Sequence, residues 1–452
     1  METESDIAFL PMAMVAEQIQ AGTLSPVDVI DAALRRVEAD GTRLNPFVTL
    51  TADRAIAQAH EAEREIANGR YRGPLHGVPI VLKDLLATAG IRTTGGSRVL
   101  GEWVPDEDAA VVSLLREAGA ISIGKTGMPE FAVCPTSTNP FYGAVRNPWN
   151  EAYDTSGSSS GTAAAIAAGM AYCGPGSDTG GSIRMPAAAC GIVGLKPTWG
   201  RVSLRGVLPL CVLHDHVGPM ARTVRDTAML MQALAWYDPA DPYCRDQPVD
   251  DYLGRLDDGV SGLRIAVLTD DGGPANDPEI QVACERSLST LDAAGAELEE
   301  IALPNVYELI WDVVPVLEDS ETAADYARWL LERSEDLSPQ FREFAASGLR
   351  RTGVEVQQAR RRVLNELHGI ERALRSFDLL VSPTLGVFPP PAGEERLELL
   401  RYTNLWNVNG WPAISVPIGR SRENLPIGLQ LVARPWQEAL TLRAARVVER
   451  GA

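Results

Sequence analysis

Two short clusters of serine and glycine contain the residues best suited to chemistry. The first is GSSSG at residues 157–161, and the second is DTGGS at residues 178–182. Glycine lets the backbone lie close to a bound group and adopt positive φ angles. A row of backbone N–H groups beside a serine hydroxyl is the arrangement that holds an oxyanion next to a nucleophile. The clusters therefore predict a site for nucleophilic attack by a serine.

The segments that flank these clusters favour an ordered site. Serine- and glycine-rich segments are also typical of flexible linkers. Here, however, residues 163–170 are alanine-rich and favour a helix, and residues 183–195 are apolar and compact. Loops between core elements are held in position and often carry function. We therefore interpret both clusters as positioned loops of a folded core.

Lys83 is the candidate base for the serine. It ends a short apolar run, residues 78–82. A serine attacks only when a base removes its proton, and burial favours the neutral amine of a lysine by lowering its pKa by up to 3–5 units. A lysine at a strand end can instead be an edge charge that reaches water. Beside two serine clusters, the base is the stronger interpretation.

A hydrolase with a nucleophile elbow is the main chemical alternative. Residues 157–161 match G-x-S-x-G with Ser159 at its centre, and such an enzyme needs an acid and a histidine later in the chain. His214, His216 and His368 follow, but none stands in a matching context. A serine-rich loop meets this pattern easily by chance.

Nucleotide and metal sites are not expected. Residues 124–126 read GKT, but no glycine stands five residues earlier and Pro129 interrupts a following helix, which excludes a P-loop. His214 and His216 lack the third and fourth ligands that a metal needs. The six cysteines form no C-x-x-C pair, so we expect free thiols and neither a metal nor a cofactor.

The composition describes a folded, acidic protein. The chain has 452 residues, of which 45% are hydrophobic and 22% charged, with 41 basic and 60 acidic side chains and a net charge of −19. Phosphate binding needs a basic surface, so we expect no nucleic-acid partner. The start of the chain is acidic where a signal peptide is basic, and no apolar stretch reaches membrane-spanning length. We expect a cytoplasmic protein that does not bind membranes.

The pattern of elements predicts an α/β fold. The alternation of a strand, a helix and a strand over residues 263–302 indicates a β-α-β unit, and residues 305–375 are largely helical, as in a lid over a site. The turn residues at 215–219 predict a loop. Further predictions are helices over 26–38, 52–67, 107–118 and 224–235 and strands at 121–123, 379–384 and 412–417.

Six motifs in order resemble the amidase signature family. They are GVPIVLKD at 77–84, KTGMPEFA at 125–132, NPFYGAVRNPWN at 139–150, GSSSGTAAAIAAG at 157–169, DTGGSIRMPAAACGIVGLKPT at 178–198 and GWPAISVP at 410–417. The resemblance runs from about residue 20 to 445. It implies a mixed central β-sheet covered on both sides by helices, in a single domain over 1–452. The signature core would span about 70–225, with a more variable, largely helical substrate side at about 240–400.

The same resemblance implies a Ser-cisSer-Lys triad. Ser182 would be the nucleophile and Lys83 the base, while Ser158 would follow a cis peptide bond and relay the proton between them. A gap placed differently in the serine cluster would exchange Ser158 with Ser159. With Ser158 as the relay, Ser159 would hydrogen-bond the triad.

The supporting and substrate-side residues also come from the resemblance. Backbone N–H groups of Thr179, Gly180 and Gly181, with that of Ser182, would form the oxyanion hole, and Asp178 with Arg184 would hold this loop. On the substrate side, Phe131 and Ala132 would face the acyl pocket. Gly127 stands where the family usually has asparagine, and a small residue there would enlarge the pocket or loosen its loop.

The implied activity is hydrolysis of the C–N bond of an acyl or aryl amide through an acyl-enzyme. Carbamates (urethanase activity) and esters are related substrates. We expect a small-molecule substrate and no cofactor, with a homodimer as one expectation for the assembly. The alternative function is a component of a tRNA-dependent amidotransferase, which needs partner chains. A non-catalytic binding protein is disfavoured, because the lysine and both serines are present.

Overall fold

A single mixed sheet forms the centre of the protein. The computed structural model describes residues 7–452. Residues 1–6 lie outside the described part, and they belong to the acidic start on which the argument against a signal peptide depends. The sheet has eleven strands: β1 (Phe47–Leu50), β2 (Pro79–Lys83), β3 (Ile121–Thr126), β4 (Cys173–Asp178), β5 (Val193–Lys196), β6 (His216–Ala221), β7 (Arg264–Asp270), β8 (Glu297–Ala302), β9 (Leu379–Pro383), β10 (Ala413–Arg420) and β11 (Pro426–Ala433).

The strand order is β1-β3-β2-β4-β6-β5-β10-β11-β9-β7-β8. Strand β2 pairs in parallel with β3 and β4, and β7 pairs in parallel with β8 and β9. The other neighbours are antiparallel. The prediction of a mixed central sheet is therefore confirmed.

Helices connect these strands and cover the sheet. They are α1 (Met12–Gln20), α2 (Pro26–Leu44), α3 (Ala52–Ala67), α4 (Ala110–Glu117), α5 (Ser160–Ala167), α6 (Arg184–Cys190), α7 (Val224–Leu234), α8 (Pro278–Ala293), α9 (Val306–Glu308), α10 (Val314–Glu332), α11 (Pro339–Arg350), α12 (Gly353–Ala373), α13 (Leu405–Val408) and α14 (Glu438–Gly451). A π-helical turn at Leu309–Val313 joins α9 to α10. Within residues 7–452, no helix combines the length and the apolar character that a membrane crossing requires.

The side chains of β2 show how both faces of the sheet are covered. Ile80 and Leu82 belong to one apolar core, which also contains residues of α7 and α14. Val81 belongs to a second core, which contains residues of α3 and α5. Successive side chains of a strand point to opposite faces. Helices therefore pack on both faces, as predicted.

Local sequence sets several element boundaries. Ser25 caps α2 by accepting a hydrogen bond from Val27 N, and Asp277 caps α8 by accepting one from Glu279 N. The β7-α8-β8 unit forms the predicted parallel pair. Helix α2 continues past the predicted end at residue 38, and Asn45, in the left-handed conformation, ends it.

The prediction of a loop at residues 215–219 is wrong. Residues 216–221 form β6, which is buried along its length and pairs with both β4 and β5. Gly218 is needed for close approach, because a Cβ there would lie 2.2 Å from the carbonyl oxygen of Leu195. Glycine in a strand often marks such an approach of another backbone.

The predicted helical segment packs beside the sheet. Helices α10 and α12 share an apolar core with β9, β10 and β11. Phe341 of α11 and Tyr326 of α10 pack against Phe131, which lies in a short 3₁₀ turn (Glu130–Ala132) after β3. This segment thereby reaches the edge of the sheet where β2 and β4 end.

Candidate active site

Lys83 lies at the end of β2, at the edge where the parallel strand β4 also ends. Its Nζ donates hydrogen bonds to Ser158 Oγ at 2.7 Å and to Ser177 Oγ at 2.8 Å. The lysine is fully buried, with 0% of its surface exposed. The edge-charge interpretation of Lys83 is therefore excluded.

Burial changes the protonation of Lys83. Desolvation lowers the pKa of its amine from the ordinary value of 10.5 to about 7, while the carboxylates of Asp178 and Asp215 act in the opposite direction. Near neutral pH, the amine therefore exists in both its charged and its neutral form. A neutral amine can accept a proton, which is what a general base needs.

The hydroxyls of Ser158 and Ser159 have different hydrogen-bond partners. The peptide bond between Gly157 and Ser158 is cis. Ser158 Oγ contacts Lys83, whereas Ser159 Oγ donates to the carbonyl oxygen of Ser177. The backbone N–H of Ser159 donates to the carbonyl oxygen of Ser182 at 3.1 Å and so joins the two clusters.

Ser182 lies in the loop between β4 and α6 and lines a cavity of about 500 Å³. Thr179 and Gly180 line the same cavity, but Lys83 and Ser158 do not. Ser182 is 5% exposed and its hydroxyl makes no hydrogen bond within residues 7–452. Lys83 and Ser158 are therefore buried in the protein while Ser182 reaches the cavity, and the hydroxyls of Ser158 and Ser182 are not hydrogen-bonded to each other.

The loop before Ser182 presents free backbone donors. The N–H groups of Gly180, Gly181 and Ser182 donate no hydrogen bond within the described chain. Gly181 has φ +134°, and a Cβ there would lie 2.2 Å from Thr403 Oγ1, so only glycine fits. Thr403 Oγ1 donates to the carbonyl oxygen of Gly180 at 2.6 Å. Thr403 therefore fixes the carbonyl group of Gly180, while the N–H groups of residues 180–182 remain unpaired within residues 7–452.

Asp178 and Arg184 form a fully buried ion pair beneath this loop. Arg184 donates through Nη2 and Nε to the two Asp178 oxygens at 2.8 and 3.0 Å. Burial acts to raise the pKa of Asp178, but the Arg184 guanidinium, with Lys196 and the Asn407 amide, outweighs it and holds that pKa well below its ordinary range. The backbone N–H of Ile183 also donates to Asp178. This pair ties the end of β4 to the start of α6.

We predict that Asp178→Asn lowers the free energy of unfolding by about 3–5 kcal/mol, because it leaves the Arg184 charge buried and uncompensated. Urea unfolding followed by circular dichroism measures this change. The matched control is Asp257→Asn, which removes a half-exposed carboxylate paired with Arg446 and Arg450. We expect the control to change stability by less than about 1 kcal/mol. Equal losses in the two variants would contradict the structural role of Asp178.

Only one of the three predicted substrate-side residues lines the cavity. Ala132 does so. Phe131 instead packs behind it in an aromatic cluster, with ring centroids 4.5 Å from Tyr326 and 4.9 Å from Phe341. Gly127 lies elsewhere, because its N–H donates to Pro46 O and its carbonyl accepts from Gly161 N. Neither Phe131 nor Gly127 faces the cavity.

The remaining walls of the cavity are mostly apolar and come from distant parts of the chain. Leu210, Leu400, Ile310 and the segment around α10 and α11 contribute side chains. The complete lining is Ala132, Val133, Cys134, Pro135, Thr179, Gly180, Ser182, Leu210, Ile310, Trp311, Pro315, Glu318, Gln340, Glu343, Phe344, Ser347, Arg350, Glu395, Leu397, Leu400 and Asn404.

Two residues of the site were missed from the sequence. Ser177 supplies the second hydroxyl that accepts a hydrogen bond from Lys83. The one feature of the sequence that could have indicated this contact is its position directly before the DTGGS cluster. Asp215 accepts a hydrogen bond from Thr179 Oγ1 and so holds the first residue of the loop. No local pattern around Asp215 indicates this role.

In the part of the chain that the structure describes, neither the paired histidines nor the cysteines form a metal site. His216 Nδ1 lies 2.7 Å from the carbonyl oxygen of His214, and desolvation lowers the pKa of His216 well below its ordinary value. Among residues 7–452, no group of three or more His, Cys, Asp or Glu side chains is placed to hold a metal ion. All six cysteines are buried and free.

Comparison with known proteins agrees with the resemblance found in the motifs. The amidase family model matches residues 28–442. A glutamyl-tRNA(Gln) amidotransferase component from Moorella thermoacetica is 35% identical over 474 residues, covering 98% of this chain and 97% of that protein.

Solved structures are similar over the whole chain as well. One comes from a vestigial protein complex related to the origins of an s-triazine catabolic enzyme, in an inhibitor-bound form, with a TM-score of 0.92, 32% identity and 98% of both chains covered. Another is a peptide amidase bound to the competitive inhibitor chymostatin, with a TM-score of 0.89, 32% identity and coverage of 98% of this chain and 97% of that one. The protein therefore belongs to the amidase signature family.

Proposed function

We propose that this protein hydrolyses the C–N bond of a small-molecule amide through an acyl-enzyme on Ser182. The observation that supports this most directly is the buried contact of 2.7 Å between Lys83 Nζ and Ser158 Oγ. The next residue, Ser159, donates its N–H to the carbonyl oxygen of Ser182, which lines the cavity. Burial lowers the pKa of Lys83 to about 7, which suits an amine that exchanges protons with a neighbouring hydroxyl near neutral pH.

The first half of the reaction forms the ester. Neutral Lys83 takes the proton of Ser158, Ser158 takes the proton of Ser182, and Ser182 Oγ attacks the carbonyl carbon. This relay requires the Ser182 hydroxyl to donate to Ser158 when an amide is bound. The negative charge on the carbonyl oxygen is stabilised by the unpaired N–H groups of residues 180–182, each worth about 2.7–4 kcal/mol.

The second half releases the products. The proton returns from Lys83 through Ser158 to the leaving nitrogen, the C–N bond breaks, and the amine departs. Water then attacks the ester while its proton passes to Lys83 by the same route, and the carboxylic acid leaves as Ser182 recovers its proton. No cofactor takes part in these steps.

The two neighbouring serines give a matched test of the relay. We expect Ser158→Ala to lower kcat by about 10³-fold or more, because it interrupts the path between Lys83 and Ser182. Ser159→Ala removes a hydroxyl whose one hydrogen bond within residues 7–452 is to the Ser177 carbonyl, so we expect a loss of about tenfold or less. Steady-state kinetics on an aryl anilide compares them. A larger loss for Ser159→Ala would assign the relay to Ser159 instead.

The cavity favours an apolar amide as the substrate. Its lining near Ser182 includes Leu210, Ile310, Trp311 and Leu400. Such walls bind acyl or aryl groups through burial of apolar surface. A carbamate or an ester presents the same carbonyl to Ser182, so urethanase and esterase activities belong to the same proposal.

A second candidate function is that of one component of a tRNA-dependent amidotransferase. It is supported by the sequence relatives, since the glutamyl-tRNA(Gln) amidotransferase component from Moorella thermoacetica matches 98% of this chain at 35% identity. In that role, the same site would release ammonia from glutamine for transfer to an aminoacyl-tRNA held with partner chains. The sequence relatives favour this second candidate, whereas the mostly apolar lining of the cavity favours the first.

Hydrolysis by the purified chain alone separates the two candidates. The panel contains aryl anilides, aliphatic amides, esters, carbamates and glutamine, with Ser182→Ala as the blank. Turnover of anilides or carbamates without partners is the expected result. Turnover of glutamine alone would favour the amidotransferase role. Absence of all turnover, together with no labelling of Ser182 by a fluorophosphonate, would reject both.

A further inference from the structure

The charged residues of the cavity are unevenly distributed. Glu318, Glu343, Glu395 and Arg350 line it, so carboxylates outnumber the one guanidinium. Glu343, Glu395 and Arg350 are exposed at the mouth. Glu318 lies deeper, with 15% of its side chain exposed. Among these residues, Glu318 is therefore the charge that a bound substrate would meet beside the apolar walls.

Glu318 has only weak partners within the described chain. Asn404 Nδ2 donates to Glu318 Oε1 at 3.4 Å, and His214 Nδ1 lies 3.5 Å from the same oxygen. No lysine or arginine of residues 7–452 forms an ion pair with this carboxylate. A carboxylate among apolar groups is unfavourable unless a donor or a cation compensates it.

A second acceptor without a donor stands beside Glu318. Asn404 lines the cavity and is 3% exposed, and its Oδ1 accepts no hydrogen bond within residues 7–452. Its orientation follows from the contact of its Nδ2 with Glu318, since the opposite orientation would place two oxygens together. Glu318 and Asn404 therefore present hydrogen-bond acceptors to the cavity, and a ligand with N–H or O–H donors would satisfy them.

The surroundings on this side of the cavity are negative as well. Glu321 lies one turn further along α10, and Asp325 follows it on the same helix. Burial raises the pKa of Asp325, and the charges of Glu321 and Asp215 raise it further. Of Glu318, Glu321 and Asp325, only Glu318 lines the cavity, so it is the carboxylate of this helix that a bound cation would contact.

Glu318 lies close to the loop that would bind the oxyanion. A Cβ placed on Gly180 would be 3.2 Å from Asn404 Nδ2, and that nitrogen is bonded to Glu318. The Asn404 side chain therefore links Glu318 to the loop at Gly180. A group that pairs with Glu318 would lie on the side of the cavity that holds this loop.

We propose that Glu318 is a specificity-determining residue that selects amides with an ammonium group near the scissile carbonyl, such as amides of α- or β-amino acids. An ammonium carries three N–H donors and a positive charge, which match the Glu318 carboxylate and the free oxygen of Asn404. The apolar walls would hold the rest of the substrate. This inference rests on the proposed amide hydrolysis at Ser182.

An isosteric pair of substrates tests the inference. β-Alanine 4-nitroanilide and butanoic acid 4-nitroanilide differ by an ammonium in place of a methyl group. We expect the wild-type kcat/KM to be at least about tenfold higher for the β-alanine compound. Glu318→Gln should lower the ratio of the two kcat/KM values by about 10–100-fold. An equal loss for both substrates, or a wild-type preference for the butanoyl compound, would overturn the inference.

The control and a binding measurement keep this result distinct from the test of hydrolysis itself. Glu321→Gln removes the same charge one turn away, outside the cavity lining, and should leave the ratio within about twofold. Calorimetric binding of both anilides to Ser182→Ala protein requires no turnover. Preferential binding of the β-alanine compound, abolished when Glu318→Gln is added, supports the inference even without hydrolysis. Equal or undetectable binding of both compounds overturns it.

Discussion

Ser182→Ala is expected to lower kcat for any amide substrate by about 10⁴–10⁶-fold while the protein stays folded. The hydroxyl is the proposed nucleophile, and removal of a nucleophile usually costs as much as removal of the whole catalytic set. Folding should be unaffected, because the Ser182 hydroxyl makes no hydrogen bond within the described chain. Single-turnover kinetics on an aryl anilide and a thermal unfolding curve measure the two effects.

Ser160→Ala is the matched control for this variant. Ser160 belongs to the other serine cluster and is also buried, but its hydroxyl donates to the Ser156 carbonyl and is hydrogen-bonded to neither Lys83 nor Ser182. We expect its kcat to stay within about tenfold of the wild-type value. Intact-protein mass spectrometry after reaction with an activated ester should show one acyl group on the wild-type protein and none on Ser182→Ala. Retention of more than a tenth of the activity by Ser182→Ala would exclude Ser182 as the nucleophile.

Much of the fold was predictable because its elements carry local signals. The apolar run that ends at Lys83 predicts β2, and Ser25 and Asp277 mark the starts of α2 and α8. The predictions of the mixed sheet and of the family came from six short motifs. Each motif is recognisable from its own residues, and their order along the chain matches the family. The structure and the comparisons confirm both.

What the sequence did not reveal depends on contacts between distant segments. Gly218 and Pro219 look like turn residues, yet they lie in a strand because β4 and β5 enclose them on both sides. Ser177 reaches Lys83 only because β2 and β4 are parallel neighbours. The position of Phe131 is set by aromatic side chains nearly two hundred residues later, so its neighbours in sequence gave no sign that it turns away from the cavity.

Lys83→Met is expected to lower kcat/KM by about 10⁴-fold, because Lys83 is the one group among residues 7–452 that contacts Ser158 Oγ and can accept its proton. Lys83→Arg keeps a positive charge but not a base, since a guanidinium is not deprotonated in proteins, and should be equally inactive. Assays on the aryl anilide used for Ser182→Ala compare the three proteins. Substantial activity in Lys83→Arg would show that Lys83 acts through its charge rather than as a base.

The pH dependence of kcat/KM in the wild-type enzyme should reflect the protonation of the Lys83 amine. Only neutral Lys83 accepts a proton, and its pKa is about 7. We therefore expect kcat/KM to rise with pH through about 7 and to level off above it. Measurement between pH 5.5 and 9.5 covers this range. A profile that is flat across neutral pH, or that falls as pH rises, would contradict Lys83 as the base.

The free energy of unfolding should also depend on the protonation of Lys83. Because the pKa of Lys83 is about 7 in the folded protein against 10.5 ordinarily, the unfolded chain binds more protons between these values and stability rises with pH there. Below about pH 7 the buried charge costs on the order of 5 kcal/mol, and above about pH 10.5 it costs nothing. Lys83→Met removes this cost together with two hydrogen bonds worth about 1 kcal/mol each. In urea unfolding, the variant should therefore be more stable than the wild type at pH 6, with the difference shrinking and reversing towards pH 10, whereas a lysine kept for structure would give a less stable variant at both pH values.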